Sequence, residues 1–237
     1  MARPLALVAL AAPLLGCPTV GDGDEASASR TITEAIRALE VFDALEVTVT
    51  VDPSAAEGAT IDLTGDANLL DLVVSELHSG DVLSLGMWAT VETEPTLPMR
   101  AELVTPALER VFVGGTAGVV VDGLAGDALE LRARDQSALN ASVTTPALGV
   151  DVDHKATVRA TGEATVLEVL TAGNADVDAS ELTVVDAEIH HASAGELRLC
   201  ASRALRGELS GDGTLVLLCA PTEIDVDVTG DGAIEGP

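Results

Sequence analysis

Aromatic side chains are almost missing from this chain of 237 residues: it has no Tyr, two Phe and one Trp. Its core must therefore be built from Val, Leu, Ile and Ala, which suits a narrow interior better than a thick sandwich. The same scarcity argues against platforms that stack sugars or single-stranded nucleic acid, since those need flat rings. Basic residues are also few, 12 Lys and Arg against 39 Asp and Glu, for a net charge of −27. Such a chain repels nucleic acid and anionic membrane, and no basic patch is visible along it. Catalytic signatures are absent too: there is no Walker sequence, no H-E-x-x-H and no G-x-S-x-G. Ser193 and Ser210 have no base in matching positions.

One apolar run stands apart. Met1-Ala2-Arg3-Pro4 leads into residues 5–15, then Gly16-Cys17. The run is too short to span a bilayer and has the form of a secretory signal. Leu14-Leu15-Gly16-Cys17 resembles a bacterial lipobox, in which Cys17 is lipidated and becomes the first residue; a plain secretory signal is the alternative. Residues 1–16 are therefore expected to be a lipoprotein signal peptide. Residues 17–34 are polar, small and aperiodic, and are expected to form a flexible tether.

What is present in quantity is a repeat. Read with a step of nineteen, the chain aligns Gly118, Ser137, Ala156, Ala175, Ala194, Gly213 and Gly232, all small. A second column holds Leu129, Leu148, Leu167, Asp186, Leu205 and Ile224, and a third holds Val120, Leu139, Val158, Val177, Glu196, Leu215 and Ile234. A fixed period of this length marks a solenoid, whose units bury their faces against their neighbours. Within each unit the pattern alternates, as in Leu148-Gly149-Val150-Asp151-Val152, so one set of side chains faces in and the other out. Nineteen residues are too few for a strand and a crossover helix, and suit one coil of a parallel β-solenoid. The small column is expected in a tight turn, with Gly211-Asp212-Gly213 and Gly230-Asp231-Gly232 as its plainest forms, because Gly accepts positive φ.

Cys200 and Cys219 are also nineteen apart, so they stack in adjacent coils about 5 Å apart, within disulfide range. Two buried free thiols are the alternative. One coil is irregular: Val185, Ala187 and Ile189 come one place early, Leu197 and Leu199 one place late. The turn from His190 to Glu196 is therefore expected to be about two residues longer, and insertions in solenoids often lie on a binding face.

Residues 35–104 read as a β-rich cap for the first coil. Leu45, Val47, Val49 and Val51 alternate with polar residues, strands are expected near 60–63, 82–85 and 100–104, and residues 68–74 are expected to be a short helix capped by Asp66 or Asn68. Residues 105–237 form the solenoid proper.

Taken in order, Phe42-Asp-Ala-Leu-Glu-Val, Leu63-Thr-Gly-Asp-Ala-Asn-Leu-Leu, Thr105-Pro-Ala-Leu-Glu-Arg-Val and the Gly-Asp-Gly turns resemble the auto-transporter adhesin head, or GIN, domain of bacterial surface lipoproteins. The resemblance covers residues 36–237. It implies an all-β, right-handed parallel β-helix and a cell-envelope address, and it brings no catalytic residues with it. The turns Asp135-Gln136-Ser137 and His154-Lys155-Ala156 depart from the family's Gly-rich form.

The candidate site residues follow from these readings. Cys17 is the lipidation site, Cys200 and Cys219 the disulfide, and His190, His191 and Glu196 a candidate binding turn. No metal site or cofactor is expected: Asp225 to Asp231 looks like part of a calcium loop, but the twelfth position is Gly236 rather than Glu. The expected partners are a membrane, through the lipid anchor, and a protein or glycan at the cell surface, with no nucleic acid. The function expected is a non-catalytic, adhesin-like head; a glycan-active β-helix enzyme and a periplasmic scaffold are the alternatives.

Overall fold

The structure is a computed structural model that describes residues 18–87 and 91–236. The expected signal peptide and Cys17 lie outside the described residues. In the N-terminal part run β1 (Thr19–Val20), β2 (Glu25–Ile32), β3 (Ala38–Val41), β4 (Leu45–Val51), β5 (Ala59–Asp66), β6 (Val73–His78), β7 (Val82–Met87), β8 (Thr93–Glu94) and β9 (Met99–Thr105). Then come β10 (Arg110–Val113), β11 (Gly118–Ala125), β12 (Ala128–Ala133), β13 (Ala138–Val152), β14 (Thr157–Gly173), β15 (Asp176–Ser193), β16 (Glu196–Leu209), β17 (Thr214–Leu217), β18 (Glu223–Val228) and β19 (Ala233–Glu235).

From β10 onward every pairing is parallel and joins one coil to the next, which makes this a β-solenoid. Each coil has two walls. In β13, Leu139, Ala141 and Val143 face inward from one wall, and Leu148, Val150 and Val152 from the other. The corner between them is turned at Pro146, where the buried Thr145 hydroxyl donates to the Ala147 carbonyl oxygen at 2.9 Å. Neighbouring coils repeat this layer by layer, so the interior is mainly aliphatic, as the missing aromatics required, with Ser137, Thr145, Thr171, His191 and Ser193 as buried polar side chains toward the corners.

The coil length varies around the expected nineteen. In register, the small column is Ala117, Ser137, Ala156, Ala175, Gly195, Gly213 and Gly232, at intervals of 20, 19, 19, 20, 18 and 19 residues. Two members of the expected column, Gly118 and Ala194, are thus one place off. The breaks at Asp186 and Glu196 have the same origin. A bulge at Ser180, opposite the step from Arg159 to Thr161, inserts one residue, so that Ala187 and Leu197 take the inward places.

The expected cap is partly solenoid itself. β3 and β4 pair in parallel with β10 and β11, and also with β7 and β9 on their other side. The coil that comes first in sequence is therefore second in the stack, and the step from β9 to β10 passes over it. Antiparallel strands then end the parallel order: β5 on β9, β2 on β5, and β6 on β7.

Two expectations are corrected here. Residues 25–32 are not tether but strand β2, whose Ala26, Ala28, Arg30 and Ile32 are half-buried at alternate positions. Small residues hid this alternation. Arg30 also ties β2 to the opposite side of the cap, donating to the carbonyl oxygens of Val73 at 2.6 Å and Leu70 at 3.1 Å. The helix expected at 68–74 is a single 3-10 turn, Leu70–Leu72, followed by strand β6. Neither proposed cap residue serves a helix. Asp66 accepts the N–H groups of Gly23, Thr96 and Leu97 at 2.8, 2.9 and 2.9 Å. Asn68 donates to the Val20 carbonyl oxygen at 2.9 Å and accepts from the Asp22 N–H. At the other end of the stack, among the described residues, nothing covers β18 and β19, and their inward-facing Ile224, Val228 and Ile234 are exposed.

Candidate functional site

The disulfide forms between Cys200 and Cys219, with Cα atoms 5.1 Å apart. It sits at the corner where the ladder between β15 and β16 shifts twice, from Ala179↔Leu199 to Val184↔Ala201 and again before Asp186↔Ala204.

The binding turn expected from His190 to Glu196 is not a long loop. His190 and His191 belong to strand β15 and pair in register with Leu170 and Thr171. The extra residue of this coil is at Ser180, on the other wall, so the turn keeps the length of its neighbours. Alternation sends the two imidazoles to opposite sides. His190 is exposed, with Glu188 3.7 Å away. His191 is fully buried inside the coil, its Nδ1 2.6 Å from the Thr171 hydroxyl. Its Nε2 has no hydrogen-bond partner. Burial pushes this ring below its ordinary value, against the opposing pull of the Gly195 backbone and Asp176. The two histidines and Glu196 therefore cannot meet on one ligand. Among the described residues no group of three or more His, Cys, Asp or Glu is placed to hold a metal.

The turns have a different logic from the one expected. Gly115, Asp135, His154 and Gly173 occupy one stacked position, and all are left-handed, with φ of 68°, 66°, 62° and 74°. Two non-glycine residues thus bear a conformation that favours glycine. In the later turns the glycines do not have positive φ, and close approach explains them instead. A Cβ on Gly213 would collide with the Gly195 carbonyl oxygen and come 2.8 Å from His191 Nε2.

A groove that the sequence did not reveal lies on the wall built by β7, β3, β10, β12 and the second half of β13. Its volume is about 320 Å³. Two outward columns define it. One runs Val82, Ala38, Arg110, Glu130, Gly149, and the other Ser84, Glu40, Phe112, Arg132, Asp151. Ala38, short and flanked by longer side chains, is the floor. Phe112 stands beside it, edge-to-face with Phe42 at 5.4 Å between ring centres and 63° between planes. Both phenylalanines of the chain are therefore in one place. Space for them is left by Gly114, whose absent Cβ would lie 3.2 Å from the Phe42 ring.

Three arginines line the same groove. Arg134 stands 6.0 Å from the Phe112 ring centre, at the outer limit of a cation–π contact, so it shades the ring without sealing it. Arg110 is 3.8 Å from Asp81, and Arg132 and Arg134 are 4.0 and 3.9 Å from Asp151. Only Arg132 has a close partner, Glu130, whose carboxylate accepts from its Nε at 2.8 Å. Exposed pairs of this kind are worth about 0–1 kcal/mol, so these guanidinium groups are available to a competing anion. The arginines gather in space but are interleaved with Glu40, Glu130, Asp81 and Asp151, so the groove is a mixed-charge surface and not a basic patch. Arg110 is brought beside Arg132 and Arg134 by one coil of twenty residues. The signal available was the alternation Arg110-Val111-Phe112 and Arg132-Ala133-Arg134, with Phe112 and Arg132 twenty apart.

These features define a class: a β-solenoid head whose inward, mainly aliphatic side chains fill the coils and whose outward columns present its chemistry. The chain belongs to the family described as "Putative auto-transporter adhesin, head GIN domain", whose model matches residues 36–221. The match stops before the exposed strands β18 and β19. Similar solved structures include a "putative adhesin" from Bacteroides fragilis NCTC 9343, 16% identical, with a TM-score of 0.84 over 92% of this chain and 99% of that one. A "putative lipid binding protein" from Parabacteroides distasonis ATCC 8503 is 14% identical, with a TM-score of 0.69 over 92% of this chain and 99% of that one. A "putative adhesin" from Parabacteroides merdae ATCC 43184 is 17% identical, with a TM-score of 0.66 over 92% of this chain and 98% of that one. At these identities the likeness is one of fold. No curated protein matches the chain.

Proposed function

We propose that the chain is a lipid-anchored, adhesin-like head of the bacterial cell envelope, carried by Cys17 and binding a protein or glycan at the cell surface without catalysis. The observation that carries this reading is membership of the adhesin-head family across residues 36–221. The signal-like N-terminus with Leu14-Leu15-Gly16-Cys17 supports the anchor. The solenoid supports the binding role, since its rigid walls hold side chains in fixed columns. A catalytic reading gains nothing from the groove, whose Glu130 is already paired with Arg132. A lipid-binding reading, suggested by the description of one neighbour, needs an apolar cavity, whereas the coil interior is filled with aliphatic side chains.

The test is protease shaving of intact cells, wild type beside Cys17→Ala. The expected outcome is a membrane-bound wild type cleaved from outside and a variant released from the membrane. A wild type that is membrane-bound but protected would place the head in the periplasm and end the adhesin reading.

A further inference from the structure

We infer that the groove over Ala38 is a binding site for an acidic sugar, a hexuronate-like ring carrying one carboxylate within a glycan. This rests on the reading of the chain as a binding head and names what the head would hold.

Four observations converge on it. First, a cavity of about 320 Å³ is at the small end of ligand sites and matches one or two sugar rings. Second, in a chain with only two phenylalanines, both are assembled here, and Phe112 faces the groove. An aliphatic residue would fit a solenoid wall equally well; a flat ring supplies the apolar platform on which the C–H face of a sugar lies. Third, the guanidinium groups of Arg110 and Arg134 line the groove and are loosely paired, at 3.8 Å from Asp81 and 3.9 Å from Asp151, while Arg132 is held by Glu130. Guanidinium grips a carboxylate through two parallel hydrogen bonds. Fourth, the same groove holds the carboxylates of Glu40 and Glu130, which accept from Ser84 and Arg132 and keep lone pairs toward the groove. Those accept hydrogen bonds from hydroxyl groups but repel further anions.

The mixture selects between ligand classes. A peptide rich in Asp and Glu would bring several negative charges against Glu40, Glu130 and a molecule of charge −27. A sugar acid brings one carboxylate for the arginines and several hydroxyls for the carboxylates. A neutral sugar leaves the arginines unused.

The experiment titrates the isotope-labelled full chain with sodium D-glucuronate, D-glucose, sodium acetate and a Glu-Glu dipeptide, following backbone amide shifts. Glucuronate is expected to move the amides around Arg110–Phe112 and Glu130–Arg134, with a dissociation constant on the order of millimolar. Glucose and acetate, each lacking half of the recognition, are expected to bind at least about tenfold more weakly. Phe112→Ala should weaken glucuronate to a similar degree, and Arg198→Gln on the other wall should not change it. Because Phe112→Ala also breaks the contact with Phe42, Gly149→Gln provides a second variant. A Cβ there meets nothing nearer than 3.9 Å, so it adds a side chain at the groove's end without disturbing the fold, and it too should weaken binding. No shift with glucuronate, equal binding of acetate or of glucose, or tighter binding of the dipeptide would each overturn the proposal. The shaving experiment does not involve the groove and this one needs no cell, so the two readings fail separately.

Discussion

Single residues carry more of this fold than a repeat pattern suggests. Asp66 is completely buried. Burial alone would raise its carboxyl, but the N–H groups of Leu97, Gly23 and Thr96 outweigh that and hold it below the usual carboxylate range. A lowered folded value means the stabilisation is present above the unfolded value of about 3.9 and is lost as pH falls through the folded one. Asp66→Asn should therefore flatten the acid limb of unfolding below about pH 4 and speed hydrogen exchange at the Gly23, Thr96 and Leu97 amides by about tenfold. His191 has the opposite sign. Its folded ring is held neutral, so stability is complete above about pH 6.5 and declines below it, as the unfolded ring takes a proton that the folded ring refuses. The slope is at most about 1.4 kcal/mol per pH unit. His191→Leu should remove it from urea midpoints measured between about pH 6.5 and 5.5, and an unchanged slope would mean that other groups set it. His154, at φ 62°, stands in a left-handed column between Asp135 and Gly173, where the next coil places a glycine. His154→Gly should raise stability by roughly 0.5–1 kcal/mol, read from the same urea curves. The His154 turn was visible as a departure from the Gly-rich form, but the other two roles were not legible: Asp66 was taken for a helix cap and His191 for a loop residue, because each acts through partners 20 or more positions away.

At the scale of elements, the strands were legible and their order was not. Alternation marked β4, β9 and the solenoid strands, since inward and outward places differ sharply in polarity. β2 escaped because Ala and Ser carry little contrast. The bulge at Ser180 was visible as a slipped column, but its location was misjudged: a missing step in a repeat shows that a residue was added, not on which wall. The disulfide was legible because stacking turns a sequence interval into a distance. Its loop of about twenty residues should contribute about 3 kcal/mol by restricting the unfolded chain. Cys200→Ser with Cys219→Ser is expected to lower stability by that amount and to increase amide exchange most in β17, β18 and β19. A uniform increase over all coils would instead mean that the bond stabilises the stack as a whole.

The whole molecule is an acidic rod with unlike ends. Acids outnumber bases by 39 to 12, so mutual repulsion outweighs the exposed ion pairs, each worth under about 1 kcal/mol. Raising the salt concentration from 0.01 to 0.15 M, which shortens the screening length from about 30 to 8 Å, should therefore raise the melting temperature. A fall would show that the ion pairs dominate. The groove left only the alternation of Arg110, Phe112, Arg132 and Arg134 as a signal, because it is assembled across β7, β3, β10 and β12, in an order that differs from the order of the chain. That interleaving has a consequence in time. During synthesis the segment 38–51 emerges before both of its flanking segments, which are 82–105 on one side and 110–125 on the other. It has no parallel partner until the first of these has arrived, and keeps one open edge until the second. A nascent chain halted near residue 80 would hold no parallel ladder, and segment 38–51 would have a neighbour on each side only as the chain passes residue 125, so the part of the rod made earliest is completed only when half of the chain has emerged.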